Sequence, residues 1–315
     1  MSLRVALALA FATVTTLVSA AVFRPFTLDS VLKDLAKTHP EATRVTDATP
    51  PGVVARENLV YSRPEGLELQ LDLYRPEGTE LLPAVILVHG GGWLSGDRTM
   101  ERPLARHLAA RGFVAVPVSY RLGTAGRFPA PLHDLKAAVR WLRAHAGDYG
   151  IDPAHIGAMG GSAGGTLVTL LGATNGLPAM EGTGGSAGQS STVQAVVNLD
   201  GSVNFADNAL IQSAETKPSP YFEFVHGIYS RNREVWIAAS PITYTGPQSA
   251  PTLFIKSTVT QPILAGRDEM SARLRILGVR SEIKVYPGAP HPFWLVHPWF
   301  DQVLDDASRF LRETL

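Results

Sequence analysis

The 315-residue sequence predicts an α/β fold, with a mostly parallel, doubly wound sheet and helices on both of its faces. Three observations predict it. Hydrophobic residues make up 45% of the chain, enough to bury a large core. Unbroken apolar, β-branched runs such as PAVILV and FVAVPV recur, as strands covered on both faces require. Between them lie stretches of helical spacing, several opened by proline or closed by glycine.

The elements follow in order. A polar, proline-bearing segment at 24–56 leads into NLVYSRPEGLELQLDLYRP, whose alternation around Pro-Glu-Gly predicts an antiparallel hairpin. PAVILVHGGGW is a buried strand ending in glycines, ERPLARHLAARG a helix, FVAVPVSY a strand, and FPAPLHDLKAAVRWLRAHAGDYG an amphipathic helix. HIGAM, VQAVVNLDG, PTLFIKS and SEIKVYP are the remaining strands, separated by helices at GGTLVTLLGAT and AGRDEMSARLRILG and followed by a terminal helix at HPWFDQVLDDASRFLRETL. Two regions break the alternation. The Gly-, Ser- and Thr-rich stretch at 174–192 reads as a surface loop. Residues 201–248, after the sixth strand, carry Tyr221, Phe222, Phe224, Tyr229 and Trp236 among polar residues and read as an insertion able to cover a site. A ligand is expected at the carboxyl ends of the strands.

Charge selects no partner. Lysine plus arginine equals aspartate plus glutamate at 28 each, so no global basic field exists for nucleic acid. The opening MSLRVALALAFATVTTLVSAAVF puts one arginine before an apolar run of about a dozen residues and then small residues, the pattern of a secretory signal cleaved after Ala20. That run falls short of the ~20 residues of a bilayer crossing, so export or a periplasmic location is expected without a stable membrane anchor. With no cysteine there is no disulfide and no thiolate metal site. The expected organisation is a signal at 1–20, an N-terminal extension at 21–54 and one catalytic unit at 55–315, with oligomeric state left open.

The pentapeptide GGSAG occurs twice, at 160–164 and 184–188, and both copies fit G-x-S-x-G. Only Ser162 has a strand directly before it and an apolar helix directly after it, the setting of a sharp strand-to-helix turn that lifts a nucleophile above a sheet. Gly160, Gly161 and Gly164 would let strand and helix approach. Ser186, flanked by AMEGT and QSSTV, reads as loop. HGGGW at 89–93 has neither a G-K-[ST] sequel nor GxGxxG spacing, so its anion is not expected to be phosphate. The amides of Gly91 and Gly92, with that of Ala163, could instead face a carbonyl oxygen becoming negative. His89 reads as structural.

HGGGW, then GGSAGG about seventy residues on, then PGAPHPF, resembles the α/β-hydrolase esterases that include hormone-sensitive-lipase-like enzymes and secreted acetyl-xylan and feruloyl esterases. The resemblance runs from about residue 55 onward and implies an α/β-hydrolase fold, Ser162 as nucleophile, Gly91, Gly92 and Ala163 as oxyanion donors, and His291 as general base. Position also selects His291, in a short loop after the last strand; His297, before Pro298 at the terminal helix, is expected to cap or pack.

One part of the pattern is missing. Most of the esterases it resembles carry their acid just after the penultimate strand, where this chain has KSTVTQP, with Lys256 where a histidine would stand and Thr260 about where the aspartate is expected. Threonine cannot ionise to stabilise an imidazolium. Asp200, ending the sixth strand, is one candidate acid, although Asp-Gly also makes turns. Asp268, in the first turn of the AGRDEM helix, is the other, although the helix dipole alone accounts for an acid there. A third reading has no acid at all.

The function expected is a secreted serine carboxyl-ester hydrolase without metal or organic cofactor, acting on a small-molecule or oligosaccharide ester. By resemblance it removes acetyl or feruloyl groups from plant cell-wall carbohydrate, with Trp93, Trp294 or the insertion's aromatics stacking on sugar rings. The alternatives are a general short-chain esterase or lipase, and a catalytically weak glycan- or acyl-binding protein that has lost its acid.

Overall fold

The structure, a computed structural model, describes residues 25–216 and 219–315. The signal expected at 1–20 lies outside the described residues. No helix among those described is long and apolar enough to cross a membrane.

The main sheet has eight strands: β1 (Val53–Ser62), β2 (Leu69–Pro76), β3 (Leu82–Val88), β4 (Val114–Val118), β5 (Ile151–Gly161), β6 (Ala195–Leu199), β7 (Thr252–Ser257) and β8 (Ser281–Tyr286). They lie side by side in the order β1-β2-β4-β3-β5-β6-β7-β8. The hairpin β1-β2 is antiparallel and joins β4 antiparallel; every pairing from β4 to β8 is parallel. This is the α/β-hydrolase fold. The chain steps to one side of β3 to form β4 and to its other side to form β5, and this switch opens a crevice at the carboxyl ends of β3 and β5, where HGGGW and GGSAGG both emerge.

Strand alternation builds a core on each face. Along β3, Ala84, Ile86 and Val88 join the cluster that includes Leu135 and Leu167, while Val85 and Leu87 join Leu104, Leu108, Val303 and Phe310 on the other side. The helices Ala130–Ala144 and Ala163–Ala173 therefore cover one face, and Arg102–Ala109 and Phe300–Thr314 the other. All of Ala163–Ala173 is buried, which explains why GGTLVTLLGAT shows no polar stripe.

Two regions are more tightly integrated than their composition suggests. The segment read as an extension at 21–54 carries a helix, Leu28–Leu35, capped by Thr27, whose Val31 and Leu35 are buried. Its Thr43–Arg44 pairs antiparallel with Val296–His297, and β1 already begins at Val53. The insertion forms helices at Asn208–Thr216, Pro220–Val225 and Tyr229–Ala238, and it sends Phe205, Phe224 and Trp236 into the core above β3. The loop at 174–192, which contains Ser186, is held down by the buried Lys136, whose ammonium donates to the Thr174 carbonyl at 3.0 Å and to Glu181 at 2.8 Å.

Candidate active site

β5 runs straight into the helix Ala163–Ala173 through Ser162, whose φ of 54° and ψ of −119° are strained for a residue with a side chain. The turn is possible because its neighbours lack side chains. A Cβ on Gly164 would lie 2.0 Å from the Val88 carbonyl oxygen, and one on Gly161 would lie 2.1 Å from the Trp294 ring. The Ser162 amide is anchored on the Leu199 carbonyl at 2.8 Å, tying the turn to the end of β6. The hydroxyl stands at the amino terminus of a fully buried helix, where the backbone dipoles favour negative charge.

HGGGW forms the opposite wall. Gly91 adopts φ 109°, and a Cβ there would collide with the Ser95 carbonyl oxygen at 2.1 Å, so only glycine allows the loop to fold back on itself. Among the described residues, the amides of Gly91, Gly92 and Ala163 donate to no protein acceptor, and all three residues line the same cavity as Ser162. His89 lies behind this loop, stacked 4.4 Å from the Tyr120 ring, with Nδ1 2.7 Å from the Gly90 carbonyl oxygen. Burial pushes its imidazole down to about 4 despite that backbone bond, so it stays neutral at ordinary pH.

His291 Nε2 sits 2.9 Å from Ser162 Oγ, and its Nδ1 sits 3.2 Å from Asp200 Oδ2. The imidazole is braced edge-on against Trp294 at 5.2 Å. Asp200, fully buried, receives three further donors: the Ser257 amide to Oδ1 at 2.9 Å, the Ser257 hydroxyl to Oδ2 at 2.5 Å, and Arg267 Nη1 to Oδ1 at 2.5 Å. Burial pushes this carboxyl up, but the His291 hydrogen bond, the charges of His291 and Arg267, and the Ser257 hydroxyl outweigh it and hold it below the usual carboxylate range.

The cavity over Ser162 measures about 270 Å³; Ala163, Thr166 and Ser202 line it beside Ser162, and its other walls are Phe26, the HGGGW loop, Pro220 with Tyr221 of the insertion, and Pro262 with Leu264 after β7. Among the described residues, no charged side chain lines it. The BD-FAE family model matches residues 71–264, which span most of this architecture. The chain belongs to the BD-FAE family. It is similar to esterase LipC of Mycobacterium tuberculosis, with 31% identity over 72% of this chain and 57% of that one. It spans about half the length of this and similar curated relatives. Among solved structures it resembles a propionate-bound esterase, Est2, from Thermogutta terrifontis (26% identity, TM-score 0.68, 84% of this chain and 94% of that one). A truncated carbohydrate esterase from gut microbiota shares its fold at 22% identity, with TM-score 0.74, 86% of this chain and 99% of that one.

Of the residues singled out in this BD-FAE chain, Ser162, His291 and Asp200 form one hydrogen-bonded line, with Gly91, Gly92 and Ala163 beside it. Asp268 is not part of it: its side chain is 70% exposed and bonds Lys256 Nζ at 2.7 Å. His297 pairs instead with Asp301 at 3.3 Å. The expectation that Trp294 and the aromatics Phe224 and Trp236 offer faces to sugars fails, because all three are buried. Trp93 lines the cavity, but it is almost fully buried and its ring stacks on Phe224 at 4.4 Å. Core packing uses these rings because they are the largest apolar groups near the crevice.

Three participants carry no motif signal in the sequence: Ser257 lies in the KSTVTQP loop that lacks an acid, Arg267 directly precedes the outward-facing Asp268, and Phe26 lies in the segment expected as an extension. Among the described residues, no group of three or more His, Cys, Asp or Glu side chains is placed to share a metal ion.

Proposed function

We propose that this chain is a serine carboxyl-ester hydrolase acting through an acyl-enzyme. The observation that carries the reading is the unbroken line from Ser162 Oγ through His291 to Asp200, at 2.9 and 3.2 Å, beside amides with no protein acceptor. Ser162 Oγ adds to the ester carbonyl while His291 Nε2 takes its proton, and Asp200 steadies the resulting imidazolium through Nδ1–H. The carbonyl oxygen, now negative, is received by the amides of Gly91, Gly92 and Ala163. His291 returns the proton to the departing alcohol. A water then gives its proton to His291, adds to the acyl carbon, and the carboxylic acid leaves as Ser162 recovers its hydrogen.

The acyl group is proposed to be neutral, because the cavity is apolar and without charge. Its alcohol side is proposed to be carbohydrate, with acetyl or feruloyl as the group removed; the resemblance of HGGGW, GGSAGG and PGAPHPF to secreted acetyl-xylan and feruloyl esterases supports this. An export signal at 1–20 fits a substrate outside the cell, and amino-terminal sequencing of exported protein tests it. The occupied acid position at Asp200 removes the motive for a binding-only protein. A general short-chain esterase is favoured as the second reading by the same uncharged cavity, and the similar Est2 is described with propionate and with butyrate bound.

The test is turnover of nitrophenyl acetate, methyl ferulate and acetylated xylo-oligosaccharides, with Ser162→Ala as the blank, and paraoxon labelling read by intact mass. Hydrolysis abolished by Ser162→Ala, with labelling confined to Ser162, supports the hydrolase. Wild type no faster than the blank on every ester defeats it.

A further inference from the structure

We propose that Arg267 is a positioning residue for the acid of this site: it fixes the Asp200 carboxylate toward His291 and sets the pH below which hydrolysis is lost. The inference rests on the hydrolase reading and extends it to a residue outside the triad and the oxyanion loop.

The argument begins with where the acid stands. Asp200 directly follows β6 and is fully buried. A buried carboxylate facing only a neutral imidazole is poorly supported, because burial favours the protonated form, and a protonated acid no longer steadies an imidazolium. The segment that lacks its own acid supplies the remedy. Ser257, at the end of β7, and Arg267, at the start of the following helix Arg267–Ile276, both reach across to Asp200.

Their contacts divide the carboxylate. Oδ1 takes the Ser257 amide and Arg267 Nη1, while Oδ2 takes the Ser257 hydroxyl and His291 Nδ1. With Oδ1 pinned by a cation, the group cannot rotate away from the imidazole, and Nδ1–H stays on the side away from Ser162, as the general base requires. The guanidinium is itself nearly buried, so water and salt screen its charge little. Its other nitrogen, Nη2, donates to the Leu264 carbonyl at 3.4 Å, so one side chain couples the acid to a wall of the substrate cavity.

The groups that face this pair are few. His291 approaches Asp200 from the loop after β8, and Tyr221 of the insertion lies within electrostatic reach of Arg267. On Arg267's own helix, Asp268 and Glu269 turn outward to Lys256 on β7 and to Arg273. Removing Arg267 therefore lets the Asp200–His291 pair hold its proton more tightly, and the active form, with neutral imidazole and ionised carboxylate, is reached only at higher pH.

The experiment measures kcat and KM for a nitrophenyl ester from pH 5 to 9, together with the melting temperature, for wild type, Arg267→Met and Arg267→Lys, with Ser162→Ala as the blank. For Arg267→Met the acidic limb is expected to move up by about one pH unit or more, the shift typical of losing an opposite charge beside a carboxylate. Its kcat should fall about tenfold or more with KM little changed, as when a transition-state interaction is lost. Arg267→Lys should keep the limb close to that of wild type, because it keeps the cation, while losing part of kcat with the two-nitrogen fork. A lower melting temperature for Arg267→Met with an unmoved limb and kcat would show a mere helix anchor and overturn the inference while leaving the hydrolase reading intact. If Arg267→Met does not fold, Arg267→Lys decides alone, and wild-type kcat in that variant overturns the positioning role. A wild type no better than the blank removes both.

Discussion

Glu101 provides the sharpest test of the electrostatics beneath Ser162. It ends the short turn Arg98–Glu101 with 2% of its surface exposed, and its Oε1 has no partner among the described residues. The indole N–H of Trp294, the ring that backs Gly161 and His291, lies within electrostatic reach, yet neither atom closes a hydrogen bond of normal geometry. Burial, only partly offset by that indole, pushes the carboxyl from 4.5 up to about 8. Between those two values the folded chain holds a proton that the unfolded chain has released. Stability must therefore fall as pH rises through the window, with no such loss below 4.5 and the full loss present above 8. At ~1.4 kcal/mol per pH unit the whole span amounts to about 5 kcal/mol. Replacing Glu101 with Gln keeps the shape and removes the titration. Urea unfolding of wild type and Glu101→Gln, followed by tryptophan fluorescence from pH 5 to 8.5, should give similar free energies at the acidic end and a growing advantage for the glutamine variant toward the basic end. Parallel pH dependences in the two proteins would refute the reasoning.

Three other outcomes follow from the same geometry. Asp200→Asn should lower turnover by about four orders of magnitude, as loss of a triad acid does, whereas Asp268→Asn, in an exposed ion pair, should leave turnover near wild type and change stability by less than ~1 kcal/mol; steady-state kinetics on both variants separates them. Gly161→Ala would drive a methyl to 2.1 Å from the Trp294 ring, so a stability loss of about 1–3 kcal/mol or more, seen in the melting temperature, is expected with a displaced His291 and reduced kcat. Phe26→Ala should enlarge the cavity over Ser162, and comparing kcat/KM across acetyl, butyryl and longer nitrophenyl esters should show selectivity moving toward the longer chains.

What the linear sequence could determine was whatever depends on neighbours along the chain. The strand before Ser162 and the apolar helix after it, against the polar flanks of Ser186, were enough to choose between two identical pentapeptides, because a sharp strand-to-helix turn is a local object. Strand and helix alternation likewise gave the sheet its class, and the loop after the last strand gave His291 its place. Only the tertiary structure separates the two candidate acids. Asp200 and Asp268 both follow a strand and both precede His291, and what separates them is contact across the sheet: Lys256 draws Asp268 outward, while Ser257 and Arg267, from β7 and beyond, hold Asp200 inward. Phe26 shows the same limit, since its amide meets the Ser95 hydroxyl across 69 residues and leaves no periodic trace in either segment. Polar contacts at long sequence separation carry no pattern of their own, so they become visible only when the folded chain brings their ends together.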